Sequence, residues 1–148
     1  MAPFLTARWR QLAMLNYRVD AAALRALVPR GTELDDFRGN HFRQRRGKRW
    51  QTLSLEAEPQ PAMAAADSEE RFITEHYWGY ARQRDGGTVE YQVEHPPWNV
   101  SRAIRASLEA DVEQLDGAAF APLLQGAPAS AFLADGSAVA VHRGHRVT

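Results

Sequence analysis

The stretch that decides the fold is YWGYARQRDGGTVEYQVEH, residues 77–95. Two strand-like runs, 77–84 and 89–95, flank Asp85-Gly86-Gly87-Thr88, and such an arrangement is typical of a β-hairpin with a two-residue turn. With Gly86-Gly87 as the turn, residues 78–84 of the first run have defined partners in the second. The predicted pairs are Arg82 with Tyr91, Tyr80 with Val93 and Trp78 with His95.

That register predicts one aromatic face and one small, polar face, because side chains alternate across a strand. All six paired residues fall on the first face, while Gly79, Ala81 and Gln83 fall on the second with Glu90, Gln92 and Glu94. A small anionic or carbonyl ligand would find hydrogen bonds and a stacking ring on the aromatic face. The candidate ligand-binding residues are therefore His95, Arg82, Tyr80, Tyr91 and Trp78. The alternative is that they are core polar groups with local partners.

Apolar patterns on both sides of this hairpin predict further strands. A strand over 7–19 is expected to be covered on both faces in its middle. The run 103–113 alternates strictly and predicts a strand, although Ile104, Leu108 and Val112 would also fit a helix stripe. Two more hairpins are predicted, one over 41–57 turning at Gly47-Lys48, with Phe42 opposite Leu53 and Arg45 opposite Trp50, and one over 129–142 turning at Asp135-Gly136.

Helices are predicted to be few and short. One follows the capping residue Asp20 over 21–28, and one over 118–124 is closed by Gly126. A third begins at Asp67 or Ser68 after the loop 58–66, with Asp67 and Glu70 at capping-box spacing. Its apolar stripe is Phe72, Ile73, His76 and Tyr77. The fold class is therefore α+β, mainly antiparallel sheet with a few short helices, in a single domain over 1–148.

Composition excludes several classes of protein. The 148 residues carry 18 basic and 18 acidic side chains, so no net field attracts nucleic acid or an anionic membrane. The absence of cysteine excludes disulfides, thiolate zinc sites and a cysteine nucleophile. Neither a signal peptide nor an apolar run of about 18 residues occurs, so we expect a cytoplasmic protein. No motif for a cofactor, a phosphate loop or a zinc helix is present, so we expect none of these groups.

Short segments along nearly the whole chain carry a further signal. The most distinctive are Thr74-Glu75-His76-Tyr77-Trp78-Gly79-Tyr80 and Val93-Glu94-His95-Pro96-Pro97-Trp98. Others are Pro3-Phe4-Leu5-Thr6-Ala7, Trp9-Arg10, Leu15-Asn16-Tyr17, Leu27-Val28-Pro29, Gly31-Thr32-Glu33-Leu34-Asp35, Ser130-Ala131-Phe132-Leu133-Ala134 and Gly136-Ser137. Together they resemble the YqjF-like proteins (domain of unknown function 2071), uncharacterised bacterial proteins whose barrel is similar to acetoacetate decarboxylase. The resemblance implies a partial barrel of that kind.

The resemblance also implies a shortened chain. Family members carry a long central stretch of strands between a turn like Arg38-Gly39 and a basic strand like 43–50, and here the two nearly adjoin. Missing strands would leave open sheet edges, so a homodimer formed through those edges is one expected partner arrangement. A small carboxylate or carbonyl compound bound in a barrel-type cavity is the other expected partner. The alternatives are a non-catalytic, oligomer-forming remnant with no ligand and a lyase-like enzyme.

The enzyme alternative depends on Lys48, the one lysine of the chain. Decarboxylases of the resembled superfamily form a Schiff base on a lysine of depressed pKa, and Arg46 and Arg49 would favour a neutral amine. The predicted position at a hairpin tip, surrounded by water, indicates an ordinary turn lysine instead. We therefore assign no catalytic residue.

Two other clusters have an ordinary structural interpretation beside a functional one. Glu75, His76, Glu94 and His95, with Tyr80 and Arg82, could serve acid–base chemistry or bind a metal, but the register sends Glu94 and His95 to opposite faces. The basic residues Arg38, Arg43, Arg45, Arg46, Lys48 and Arg49 with Trp50 could hold phosphates, but a strand divides them over two faces. Pro96-Pro97 should end a strand and turn Trp98 over its edge.

Overall fold

The computed structural model describes residues 2–39, 41–45, 52–109, 113, 118, 120–124 and 126–148. Strands predominate, and the α-helices whose bounds fall within these ranges are short. The strands are β1 (Leu5–Arg8), β2 (Leu12–Val19), β3 (His41–Arg45), β4 (Thr52–Ala57), β5 (Ala62–Met63), β6 (Trp78–Arg82), β7 (Thr88–Glu94), β8 (Asn99–Glu109), β9 (Ser130–Ala134), β10 (Ala138–Val141) and β11 (His145–Arg146), and the helices are α1 (Ala21–Leu24) and α2 (Glu69–Thr74). In the described part of the chain, no helix is long and apolar enough to cross a membrane.

The strands form two antiparallel sheets. The five-stranded sheet has the order β1-β10-β7-β11, with β6 also paired to β7. The six-stranded sheet has the order β3-β2-β9-β8-β4, with β5 also paired to β8, and it curls into a half-barrel. The predicted α+β class, mainly antiparallel with few short helices, is confirmed.

Four segments of the described chain pass from one sheet to the other. They are residues 9–11 between β1 and β2, 64–77 between β5 and β6, which include α2, 95–98 between β7 and β8, and 135–137 between β9 and β10. The single strand predicted over 7–19 is therefore wrong in extent, because it is two strands in different sheets. The hairpin predicted over 129–142 is wrong for the same reason, since β9 and β10 do not pair with each other.

The crossings at 9–11 and 135–137 lie against each other at a corner of the structure. The backbone N–H of Trp9 donates to the carbonyl of Ser137 (2.8 Å), and that of Gln11 donates to the carbonyl of Asp135 (3.2 Å). Gln11 (φ 49°) and Gly136 (φ 76°) both have left-handed backbone conformations. A Cβ atom on Gly136 would lie 2.5 Å from the carbonyl oxygen of Trp9. The corner therefore needs glycine for both its conformation and its space.

The hairpin predicted over 41–57 is also wrong in its pairing. In β3, Phe42 lies opposite Arg18 of β2, and in β4, Leu53 lies opposite Leu108 of β8. These two strands are therefore at opposite ends of the half-barrel sheet. The predicted turn at Gly47-Lys48 lies outside the described residues. The alternation within each strand was recognisable, but such a local pattern does not indicate which other strand is its neighbour.

The half-barrel sheet packs apolar side chains on both of its faces. One core, between the two sheets, contains Met14, Ile73, Trp98, Val100, Phe132, Ala134 and Val139. The other, on the opposite face, contains Leu15, Tyr17 and Leu124, with Leu53 and Leu108 partly buried beside them. The prediction that the middle of the first long strand is covered on both faces is thus confirmed.

An extra residue in β8 allows that strand to serve both cores. Glu56 pairs with Arg105 and Ala57 pairs with Ala103, so Ile104 has no partner in β4. Such a bulge switches the face to which the following side chains point. Val100 therefore reaches the first core and Leu108 the second, although both have even numbers. The strand interpretation of 103–113 is confirmed as far as Glu109, but it is wrong at Glu113, which is helical.

The local helix signals are largely confirmed. The Asp20 carboxylate accepts from the backbone N–H of Ala22 (2.8 Å) at the start of α1, which continues as one 3-10 turn over Arg25–Leu27. Ser68, not Asp67, caps α2, because its hydroxyl accepts from the backbone N–H of Arg71 (3.2 Å). The helix ends at Thr74, so His76 and Tyr77 lie beyond it and not on its stripe.

The other two segments differ in detail from prediction. In the described part of 118–124 the helix is a 3-10 turn, Ala121–Leu124, and Gly126 follows it in a left-handed conformation (φ 83°). The predicted loop 58–66 contains the short strand β5, which pairs with the start of β8. Both departures involve very short elements, for which tertiary contacts outweigh local propensity.

A partly buried ion pair fastens α2 to β8. The Arg102 Nε donates to Glu70 Oε1 at 2.6 Å, and Arg102 Nη2 donates to Glu70 Oε2 at 3.3 Å. Burial, the largest single influence, raises the pKa of Glu70, but the hydrogen bond and charge of Arg102 together with other local hydrogen bonds lower it below 4.5 overall. The pair therefore links helix position to the ionised state of Glu70.

We predict that Arg102→Gln lowers the free energy of unfolding by about 0.5–1 kcal/mol at neutral pH. A carboxyl with a depressed folded pKa contributes stability above its unfolded pKa and loses it as pH falls through the folded pKa. The difference between wild type and variant should therefore shrink in acid below pH 4.5. Urea unfolding across this pH range measures the difference in the free energy of unfolding. The control is Arg105→Gln, which lies on β8 like Arg102 and removes an exposed ion pair with Glu56 of β4. A pH-independent difference would contradict the prediction.

The corner provides a second prediction. Gly136→Ala should lower the free energy of unfolding by about 3 kcal/mol, because the new Cβ meets the Trp9 carbonyl and the backbone is left-handed. Gly86→Ala is the matched control, since Gly86 also has positive φ (86°) but nothing within 4 Å of the added Cβ. It should lose only about 1 kcal/mol. Equal losses in chemical denaturation would show that the close approach at the corner is unimportant.

Candidate functional site

The 77–95 segment is a hairpin, but its register differs from the predicted one by three residues. Trp78 lies opposite Gln92, Tyr80 opposite Glu90 and Arg82 opposite Thr88. The loop between the strands has three residues, not two. It is closed by the Gln83 N–H donating to the Gly87 carbonyl (2.8 Å) and the Gly86 N–H donating to the Gln83 carbonyl (3.0 Å). Gly86 supplies the left-handed position that such a loop requires.

A shift by an odd number separates the predicted aromatic face into two. Because side chains alternate, Tyr91, Val93 and His95 now share a face with Gly79 and Ala81. Trp78, Tyr80 and Arg82 lie on the opposite face. The prediction that the six paired side chains project to one side is therefore wrong.

The residues on the outer face have ordinary local surroundings. Trp78 and Tyr80 are 51% and 44% exposed. A hydrogen bond to Glu90 raises the pKa of the Tyr80 phenol. Arg82 donates from Nη2 to the carbonyls of Ala26 (3.0 Å) and Val28 (2.9 Å), so it holds the segment after α1 against β6. These three side chains do not belong to one concave site.

The inner face of the hairpin contributes to a cavity between the two sheets. Its volume is about 260 Å³, and residues of both sheets and of the end of α2 surround it. Tyr91 and His95 are the two candidate residues that reach it. Its complete lining is Trp9, Met14, Ile73, Thr74, His76, Tyr91, Val93, His95, Trp98 and Val141.

His95 is held rigidly at this cavity. Its ring stacks on Trp98 at 3.9 Å with an interplanar angle of 15°, and Tyr77 contacts it at 4.9 Å. Trp98 is itself fixed, because it is 3% exposed and its indole N–H donates to Ser137 Oγ (2.9 Å). The prolines before Trp98 make this possible, since they cannot continue the ladder of β7 and the chain turns there, as predicted.

The ring nitrogens of His95 differ in their surroundings. Nδ1 lies 2.8 Å from the carbonyl oxygen of Pro96. A carbonyl only accepts, so Nδ1 carries the hydrogen and Nε2 is the acceptor of the neutral ring. Among the residues that the structure describes, none bonds to Nε2. This nitrogen is therefore available to a ligand.

His76, which also lines the cavity, has both nitrogens engaged. Its Nδ1 bonds to the carbonyl of Phe72, and its Nε2 lies 3.0 Å from Asp35 Oδ2. The ring also meets Phe72 edge to face at 4.6 Å. His76 thus ties the 29–39 segment to the end of α2, and it presents a ring rather than a free nitrogen to the cavity.

Tyr91 has its position because its cross-strand partner is glycine. A Cβ atom on Gly79 would lie 2.3 Å from Tyr91 Cζ and 2.5 Å from its hydroxyl oxygen. The phenol therefore lies flat over the Gly79 backbone, beside the cavity. The register predicted from the sequence puts Gly79 and Tyr91 on different faces, so it does not predict this contact. The signal that could have found it is the glycine inside a strand pattern, which often marks a close approach.

The acid–base and metal interpretations find no support in the described residues. Glu94 points away from His95 and pairs with His142 (2.8 Å), and Glu75 pairs with Arg71 (3.1 Å). No group of three metal-ligating His, Asp or Glu side chains occurs in the part of the chain described. Glu94 and His95 lie in separate surroundings, as the predicted alternation of faces indicated.

The candidates between 43 and 50 cannot be placed in the same way. Arg46, Lys48, Arg49 and Trp50 lie outside the described residues, so the Schiff-base and phosphate hypotheses stay predictions. Arg38 is described, and it pairs with Asp67 at 3.4 Å.

The Gly79–Tyr91 contact gives a prediction. Gly79→Ala should lower the free energy of unfolding by about 2 kcal/mol, because Tyr91 must leave its place over the backbone. In a Tyr91→Ala background the same change should be neutral or stabilising, since the obstructing ring is gone. Urea unfolding of the four proteins measures the coupling. Additive losses would mean that Tyr91 does not depend on Gly79.

Comparison with known proteins agrees with the segments quoted above. A model of the family DUF2071, described as an uncharacterised conserved protein, matches residues 6–43 and 40–138. No curated protein and no solved structure matches the chain significantly. The match extends over most of the chain and confirms the resemblance, and its two parts meet at 40–43. The chain therefore belongs to the DUF2071 family.

Proposed function

We propose that the cavity between the two sheets binds a small organic acid or carbonyl compound. The observation that carries the proposal is the free Nε2 of His95, a rigidly held residue that lines a cavity whose walls are mainly aromatic and aliphatic. Ligand sites commonly combine apolar walls with few, well-placed polar groups. His95 and Tyr91 are the proposed contacts, and Trp78, Tyr80 and Arg82 are not part of this cavity.

The size of the cavity limits the ligand. Drug-sized ligands occupy roughly 300–1,000 Å³, and the 260 Å³ here favours a smaller metabolite. The stacking of His95 on Trp98 and its tilted contact with Tyr77 support binding, because little side-chain freedom is lost when a ligand arrives. No catalytic step is assigned, since the described lining holds no nucleophile paired with a base.

A second candidate function is a structural, oligomer-forming protein without a ligand. The observation in its favour is that β3 and β4 end the half-barrel sheet and each pairs on one side within the described chain. The family match divides at 40–43, where we propose that the chain is shortened relative to its family, and this supports open edges there. A second copy pairing along an edge would cover it.

Thermal-shift screening with small carboxylates and carbonyl compounds tests the first proposal. A ligand at ten times its Kd should raise the Tm by about 3–6 °C. His95→Phe keeps a stacking ring but lacks Nε2, so it should lose most of the shift. His142→Phe, which changes a histidine outside the cavity, should retain it.

Light scattering on the same samples separates the two candidates. A monomer with a ligand-dependent Tm supports the binding proposal, whereas a stable dimer that no compound shifts supports the second candidate. Equal shifts in wild type and His95→Phe would overturn the assignment of His95.

A further inference from the structure

We infer that the cavity takes a short-chain monocarboxylic acid and binds it together with one proton at His95. This inference rests on the proposed function and deepens it.

The hydrogen-bond partners of His95 determine what Nε2 can accept or donate. Nδ1 donates to the Pro96 carbonyl, so the neutral ring has a lone pair at Nε2. A carboxylate oxygen is also an acceptor, and two acceptors repel. A hydrogen bond forms only when one proton is added, either to Nε2 or to the carboxylate. The two descriptions have the same proton count, so binding takes up one proton in either case.

The charges around the cavity limit the ligand to one carboxylate. Among the described residues of the lining there is no arginine or lysine, and both nitrogens of His76 already have partners. The titratable groups that face His95 are Tyr77, in ring contact, and Tyr91 and His76 across the cavity. His76 is engaged with Asp35, so a second carboxylate or a phosphate would meet no unengaged cationic side chain in the described lining.

The rest of the wall suits an alkyl chain. Met14, Ile73, Val93 and Val141 line the cavity and belong to or pack against the core between the sheets. Each buried methylene of a ligand should improve affinity by about fourfold until the space is filled. A short monocarboxylic acid suits both parts of the cavity, because its carboxyl group can bond to His95 and its alkyl chain can pack against these apolar residues.

Titration calorimetry with butyrate tests the inference. Measured in two buffers of different ionisation enthalpy near pH 8, butyrate should take up close to one proton per molecule bound. Its Kd should weaken by up to tenfold per pH unit as the pH rises above neutral, because each bound butyrate takes up one proton from solution. Succinate, which has the same chain length and a second carboxylate, should bind at least tenfold more weakly. Butan-1-ol, which is neutral and can donate to Nε2, should not weaken as the pH rises.

Two variants locate the proton. His95→Gln keeps a hydrogen-bonding side chain that does not titrate, so butyrate binding should weaken and lose its proton uptake. His142→Gln removes the imidazole that pairs with Glu94 outside the cavity and should behave as wild type. Butyrate binding without proton uptake in the wild type overturns this inference and leaves the proposed function standing. Binding of none of the screened acids or carbonyl compounds overturns both, and the wild-type measurement decides even if His95→Gln fails to fold.

Discussion

The structure depends on the corner where two chain crossings pack backbone against backbone. At this corner Trp9 and Gln11 donate to the carbonyls of Ser137 and Asp135, and Gly136 approaches the Trp9 carbonyl more closely than any other residue could. The hydrogen bonds keep β1 beside β10 in one sheet and β2 beside β9 in the other. The space between the sheets, and hence the cavity, has its shape because both crossings turn at the same place.

The crossing at 95–98 gives that space its chemistry. Pro96 and Pro97 cannot donate to a sheet, so the chain leaves β7 there and enters β8 after Trp98. The turn stacks the imidazole of His95 on a buried indole, and the Pro96 carbonyl fixes which ring nitrogen carries the hydrogen. A connection between sheets thus also orients the one free ring nitrogen of the two histidines at the cavity. Trp98 links the crossings, because its indole N–H donates to Ser137 at the corner.

The candidate site was only half predictable, and the hairpin shows why. Its existence followed from two alternating runs around paired glycines, and Tyr91 and His95 were correctly brought to one face. The register was not predictable, because Gly86-Gly87 fits a two-residue turn and Arg84-Asp85-Gly86 fits a three-residue loop equally well. The choice between them was made by contacts distant in sequence. Arg82 reaches the Ala26 and Val28 carbonyls, and Thr88 is buried against the Arg30 carbonyl, and both contacts belong to the observed register.

The sequence left the cap of α2 open between Asp67 and Ser68, but by itself it determined the family, the antiparallel strand-rich class, the cap at Asp20 and the doubly covered middle of β2. Each of these depends on residue type or on periodicity over a few positions. Only the tertiary structure decided which strands are neighbours, that β9 and β10 belong to different sheets, and that Trp9, Tyr91 and His95 meet at one cavity. Strand pairing uses backbone groups that every residue shares, so the partner is chosen by the burial of whole faces and by the geometry of the corner. No local pattern contains that information.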